Sequence, residues 1–120
     1  MAIQELYFYS VEKTLGANAT EDLPISISAD ADFVVKRISI SADDYSSKIR
    51  IIDTSSAREW FSKPIRLDHL AGNYGANSRP NSLFTPKRIP ANNTLTITVQ
   101  NTSSSPNTVS ITLEGYREVK

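Results

Sequence analysis

The sequence has 120 residues, 13 basic and 13 acidic side chains, and no cysteine. This length fits a single domain, residues 1–120, that buries a core without a metal or a disulfide. The missing cysteines exclude disulfides, thiolate catalysis and cysteine-ligated zinc, and the balanced, scattered charges disfavour direct binding to nucleic acid.

Residues 1–10 form a mixed apolar segment that includes Leu6, Tyr7, Phe8 and Tyr9. Two interpretations stay open. The segment is either an ordinary first strand of the domain's own sheet or an N-terminal arm that pairs with the sheet edge of a neighbour. We count these four side chains among the candidate partner contacts. The segment lacks the pattern of a secretory signal, and no stretch approaches the ~20 apolar residues of a membrane-spanning helix.

Alternating apolar residues predict further strands at residues 23–27, 33–40 and 48–53. A period of two is typical of a strand with one buried and one exposed face. Residues 33–40 are apolar enough to predict burial on much of both faces. Pro24 suits a strand start or a sheet edge, and residues 41–47 have the composition of a turn.

The region from residue 54 to residue 90 is less regular. It predicts a short helical turn capped by Asp53 or Ser55, followed by a strand around Trp60. Beyond it, residues 69–93 predict a long irregular loop that is either functional or flexible. Trp60, Tyr74 and Arg79 of this region are further candidate partner contacts. Trp60, Phe61 and Tyr74 would suit an aromatic sugar platform, although a single tryptophan flanked by phenylalanine in an all-β chain is more often part of the core.

The most regular pattern closes the chain, with apolar residues alternating in residues 94–100 and 108–115. The intervening residues 101–107 are Asn, Thr, Ser and Pro, which favour turns. We therefore predict a long β-hairpin with an exposed tip. Asn101, Ser104 and Asn107 of this tip are candidate contacts, and a merely solvated turn is the alternative.

About eight short strands without crossover helices predict an all-β fold, an antiparallel β-sandwich or barrel. A jelly roll is favoured over an immunoglobulin-like sandwich because no Cys-Trp-Cys spacing is present.

Candidate catalytic and metal-binding residues are few. His69 is the single histidine and has no nucleophile motif near it, which favours a structural role. Several aspartates invite comparison with a calcium loop, but the required glycine and closing glutamate are missing, so turn formation is the better interpretation. No phosphate-binding loop is present. We expect a protein that is not an enzyme and needs no cofactor.

Two segments, "IIDTSSAREWFSKPI" and "RPNSLFTPKRIPANNTLTITVQNTSSSPNTVSITLEGYR", resemble the small jelly-roll virion proteins of tailed bacteriophages. The likeness spans about residues 33–119 and includes the proline-rich crossing, "IPANNTLTI", and a last strand ending in "LEGYR". It implies a capsid cement or decoration protein that docks on the major capsid protein and staples neighbouring coat subunits. It also implies a homo-oligomer, a dimer or trimer, on the capsid surface after assembly in the host cytoplasm. The alternative is a carbohydrate- or receptor-binding module of a phage tail or head accessory structure.

Overall fold

The computed structural model describes residues 3–68 and 81–119, and these residues form nine β-strands. Their bounds are β1 Ile3–Leu15, β2 Thr20–Ser26, β3 Ala31–Ala42, β4 Lys48–Asp53, β5 Arg58–Glu59, β6 Ile65–Arg66, β7 Asn81–Ile89, β8 Thr94–Gln100 and β9 Asn107–Val119. The predicted bounds of β4 and β8 are confirmed. β1 and β9, at 13 residues each, are longer than the short strands that we predicted.

The strands form two antiparallel sheets that pack face to face. One has the order β1-β9-β3-β7, and the other has the order β2-β8-β4-β5, with β6 also paired to β4. Strands that follow one another in the chain mostly lie in opposite sheets, and each sheet contains strands from both halves of the chain. This is the double-sheet arrangement of a jelly roll. The predicted all-β sandwich is therefore confirmed.

The core lies between the sheets and is almost entirely aliphatic. β8 contributes Leu95, Ile97 and Val99 from one sheet, and β9 contributes alternate residues from the other. Burial of one such side chain stabilises the fold by about 1.5–3 kcal/mol. β3 is buried on both faces only over residues 31–35, because Lys36 and Arg37 turn outward.

The predicted hairpin of β8 and β9 is wrong. β8 pairs with β2 and β4, whereas β9 pairs with β1 and β3, so the two strands belong to different sheets. Alternation shows only that each strand has one apolar face. The two apolar faces meet across the core instead of lying side by side, and residues 101–106 cross from one sheet to the other.

Three further predictions need correction between Asp53 and Ile89. Asp53 caps a turn, because its Oδ1 accepts hydrogen bonds from the Ser55 and Ser56 amides at 3.2 and 3.4 Å, but no helix follows. The strand expected around Trp60 is the two-residue β5, which ends before it. The predicted irregular stretch contains β7, an edge strand, where Pro86 is tolerated.

Candidate partner-binding site

Residues 3–10 belong to β1, which pairs with β9 of the same chain along its whole length. Among the described residues, the large apolar side chains that are strongly exposed all lie on this strand: Ile3 at 60%, Leu6 at 77%, Tyr7 at 37% and Phe8 at 50%. Tyr9 packs against the core, so the even-numbered Leu6 and Phe8 project from the opposite, outer face of the sheet.

Leu6 and Phe8 form one wall of a groove of about 480 Å³ on this outer face. We call it the outer-sheet groove; its lining residues are Gln4, Leu6, Phe8, Lys36, Arg37, Glu114, Gly115 and Tyr116. The groove crosses β1, β9 and β3. It therefore offers an apolar wall at the sheet edge and a charged wall farther in.

A β-bulge produces the charged wall. The register of β3 shifts between Val35 and Arg37, so Lys36 and Arg37, although consecutive, are both exposed. Gly115 of β9 lies opposite Val35, where a Cβ atom would come within 1.8 Å of the Val34 carbonyl oxygen. Only glycine permits so close an approach of the two backbones.

The groove has a positive bias. Arg37 Nε lies 3.4 Å from Glu114 Oε2, and Lys36 adds a second cation beside this ion pair. Next to the groove, Arg88 binds Glu118, and its Nη1 donates to Asp32 Oδ2 at 3.3 Å. The hydrogen bond to Glu118 is the main cause of a raised pKa for Arg88. That guanidinium is thus satisfied. The groove lining itself has two cations, Lys36 and Arg37, and one carboxylate, Glu114.

The inner face of β1 packs within the domain. The Tyr9 ring packs edge-on against Phe33 with centroids 4.7 Å apart, and the Tyr9 hydroxyl accepts a hydrogen bond from the Ser28 amide at 3.2 Å. Arg117 lies over the Tyr7 ring, 5.0 Å from its centroid. Of the four candidates on this strand, Tyr9 is therefore engaged within the domain, Tyr7 is partly exposed, and Leu6 and Phe8 are available to a partner.

Trp60 lies at a second cleft of about 320 Å³, formed with Asp53, Arg58, Glu59, Lys87, Arg88 and Ile89. Trp60 is partly buried and packs against the core. Lys87 Nζ lies 5.7 Å from its ring centroid. The ring thus serves the core and also faces the cleft, where a lysine lies over it. Tyr74 and Arg79 lie outside the described residues, as does His69.

The predicted contact tip, residues 101–107, is mostly exposed, but two of its three candidate contacts are not. Asn101 and Asn107 are buried, and their amides bind backbone groups of neighbouring loops. Their selection as partner contacts was wrong, because polar residues at the ends of a loop can cap it from inside as well as face water. Ser104 is exposed.

Asp43 and Asp44 stabilise the loop that follows β3, as the turn-like composition of residues 41–47 predicts. Asp44 Oδ1 accepts from the Ser46 amide at 2.9 Å and from the Ser46 hydroxyl at 2.6 Å, and this lowers the pKa of Asp44. Asp43 Oδ2 accepts from the Thr108 amide at 3.0 Å. Within residues 3–68 and 81–119, no three His, Cys, Asp or Glu side chains converge as a metal site would require.

The charged half of the outer-sheet groove was not identified from the sequence. Two features of the sequence indicate the irregular pairing that produces it. Lys36 and Arg37 interrupt the alternation of an otherwise apolar strand, which indicates a bulge. Gly115 inside a strand pattern indicates a close backbone approach. Together they mark the place where β3 and β9 depart from regular pairing.

The sequence matches no model of a known protein family, and a search of curated proteins found no match. In the part of the chain that the structure describes, no helix is long and apolar enough to cross a membrane.

Proposed function

We propose that this protein is a structural component of a tailed-phage virion that docks on the capsid surface and stabilises the coat lattice. The observation that carries the proposal is the exposed apolar pair Leu6 and Phe8 beside the outer-sheet groove. Contiguous exposed apolar side chains rimmed by polar groups are typical of protein-interaction sites. The resemblance to small jelly-roll virion proteins supplies the partner, the major capsid protein.

The groove also suggests which part of a coat subunit would bind. Its apolar wall favours a leucine-like or aromatic side chain. Lys36 and Arg37 favour an acidic residue next to that side chain, since a complementary charge speeds encounter and disfavours wrong partners. We therefore expect an apolar side chain flanked by Asp or Glu on the surface of the expanded coat.

Binding at many lattice positions would stabilise the capsid without any catalytic step. A decoration protein that touches more than one coat subunit gains effective concentration for each further contact. Individually weak contacts then hold neighbouring subunits together. A rigid sandwich suits this role because little conformational entropy is lost on docking.

The proposal is tested with expanded heads of the phage that encodes the protein, assembled without it. Sedimentation measures binding, and release of DNA on heating measures capsid stability. We expect the wild-type chain to bind and to raise the release temperature. Heads that neither bind the protein nor gain heat resistance would refute the proposal.

A variant pair tests whether the groove is the docking surface. The double variant Leu6→Ser/Phe8→Ser removes the apolar wall, and we expect head affinity to fall at least about tenfold. Glu12→Ser is the matched control, because Glu12 is exposed on the same strand and face but does not line the groove. Equal loss in both variants, or none in the double variant, would exclude the groove.

A carbohydrate- or receptor-binding role is the second candidate, and it rests on the Trp60 cleft. An aromatic ring next to carboxylates such as Asp53 and Glu59 is a common setting for sugar hydroxyls. Trp60 is the single tryptophan of the sequence, so its fluorescence reports directly on the cleft. A glycan that changes this fluorescence at sub-millimolar concentration, with the change lost in Glu59→Gln, would favour this function. No response across a glycan array would exclude it.

A further inference from the structure

Among the described strands, β1 is the sheet edge that has no protection against further pairing. Edge strands usually avoid uncontrolled pairing by being short or by containing a proline or a bulge. β2 contains Pro24, β5 and β6 have two residues each, and β7 contains Pro86 and pairs irregularly with β3. β1 has 13 residues, no proline and an uninterrupted register with β9. No described strand pairs with its outer edge.

The exposed apolar side chains concentrate on the same strand. Ile3, Leu6, Tyr7 and Phe8 are the large apolar residues that remain exposed among those described, and they fall within the first six residues of β1. An unpaired edge and an apolar surface thus coincide. This combination is typical of a strand that adds to another sheet.

The β1 sequence is complementary to itself in one antiparallel register. A two-fold axis perpendicular to the sheet keeps the outer faces of both copies on one side, and here it passes between the two Tyr7 residues. Leu6 then faces Phe8 of the second copy, and Ile3 faces Val11. Aromatic–aliphatic and aliphatic pairs of this kind stabilise adjacent strands.

Charge supports the same register. Between residues 3 and 11 the one charged side chain is Glu5, and Glu5 lies opposite Arg117 in its own sheet. In the paired edges Glu5 faces Tyr9 of the second copy, so no like charges are opposed. Glu12 and Lys13 lie beyond the paired segment.

The registers with the axis displaced toward Tyr9 match less well. With the axis at Phe8, Ile3 would face Lys13 and Glu5 would face Val11. With the axis at Tyr9, Leu6 would face Glu12. Each places a charge against an apolar side chain, which loses both apolar contact and solvation of the charge. The register with Tyr7 on the axis avoids this.

We propose that the partner of the β1 edge is β1 of a second copy of this chain, so that two four-stranded sheets become one continuous sheet. The dimer brings the two outer-sheet grooves to the same side, on either flank of the two-fold axis. A role of the dimer in capsid docking rests on the proposed function, whereas the formation of the dimer does not depend on it. The joined Leu6 and Phe8 side chains would form a continuous apolar strip between the two grooves.

Sedimentation equilibrium of the full chain tests the dimer, at concentrations up to about 1 mM so that even millimolar dissociation constants are detected. We expect a reversible monomer–dimer equilibrium. Leu6→Glu/Phe8→Glu should raise the dissociation constant at least about tenfold, because it clusters four carboxylates at the axis. Glu12→Gln, beyond the paired segment, should leave it unchanged. The proposal would be overturned if the chain were monomeric at every concentration, or if the double substitution left the dissociation constant of the dimer unchanged.

Cysteine cross-linking tests the register, since the chain contains no cysteine. A mixture of Leu6→Cys and Phe8→Cys copies should form a disulfide-linked heterodimer under mild oxidation faster than either variant alone, because these positions face each other only across the axis. Lys13→Cys mixed with Leu6→Cys is the control and should not cross-link. Preferred cross-linking in the control would overturn the register. Head binding by a chain that stays monomeric would leave the proposed function standing and refute this inference alone.

Discussion

Asn101 and Asn107 meet at one hydroxyl group. Ser47 Oγ accepts a hydrogen bond from Asn107 Nδ2 at 2.9 Å and donates one to Asn101 Oδ1 at 3.5 Å. All three residues are buried. The two asparagines stand at either end of the crossing from β8 to β9, so one hydroxyl links the start and the end of that crossing.

Each asparagine also satisfies backbone groups that no strand pairs. Asn101 Nδ2 donates to the carbonyl oxygens of Gly16 and Ser105, at 3.0 and 2.9 Å. Asn107 Oδ1 accepts from the amides of Asp43 and Asp44, at 3.0 and 3.1 Å. Side-chain amides have both donors and acceptors, so they replace strand pairing where the chain changes sheets.

Asn107→Ala should destabilise the fold by about 3 kcal/mol, because it leaves buried amide and carbonyl groups without partners. Urea denaturation followed by Trp60 fluorescence measures the change. Ser104→Ala, at an exposed position of the same crossing, should change stability by less than about 0.5 kcal/mol. Equal stabilities of the two variants would show that the Asn107 hydrogen bonds contribute nothing.

Strands with a regular alternation were predictable because alternation is a local property, and β8 shows this best; β7, which lacks a regular alternation, was missed. Its neighbours were not predictable, because Leu95 and Ile111 show the same pattern whether their strands pair side by side or face each other across a core. The apolar half of the candidate site, Leu6 and Phe8, was selected from sequence. The charged half depends on a bulge that brings Arg37 opposite Glu114, and only long-range register determines that contact.

Gly115→Ala should destabilise the fold by about 3 kcal/mol or more, because the new Cβ atom meets the Val34 carbonyl oxygen at 1.8 Å and forces the strands apart. The same urea titration measures this change. Gly16→Ala is the matched control, since no atom lies within 4 Å of its Cβ position. The control should be neutral or slightly stabilising. A tolerated alanine at 115 would contradict the close approach of β3 and β9.

Ser46→Ala should lower stability at neutral pH and should have less effect in acid. The variant removes the Ser46 hydroxyl, whose hydrogen bond is the main cause of the lowered pKa of Asp44 in the folded state, and keeps the Ser46 amide. The hydroxyl therefore stabilises the fold above the unfolded-state pKa of that carboxyl group. This stabilisation is lost as the pH falls through the folded-state pKa. Urea midpoints of wild type and variant, measured from neutral pH down to about 2, should therefore converge. A difference that stays constant with pH would show that the Asp44 carboxylate is not the group responsible.

Leu95→Asp and Thr96→Asp, at adjacent positions of β8, test which face of the strand meets the core. Leu95 is fully buried, so an aspartate there places an unpaired charge among aliphatic side chains and should cost more than about 4 kcal/mol. Thr96 is on the outer face, where its hydroxyl contacts that of Thr54 at 2.7 Å, and the same substitution should cost less than about 1 kcal/mol. Circular dichroism and urea denaturation compare the two. If Thr96→Asp unfolded the protein while Leu95→Asp was tolerated, the buried face of β8 would be the one that contains Thr96. That result would contradict the packing of the two sheets.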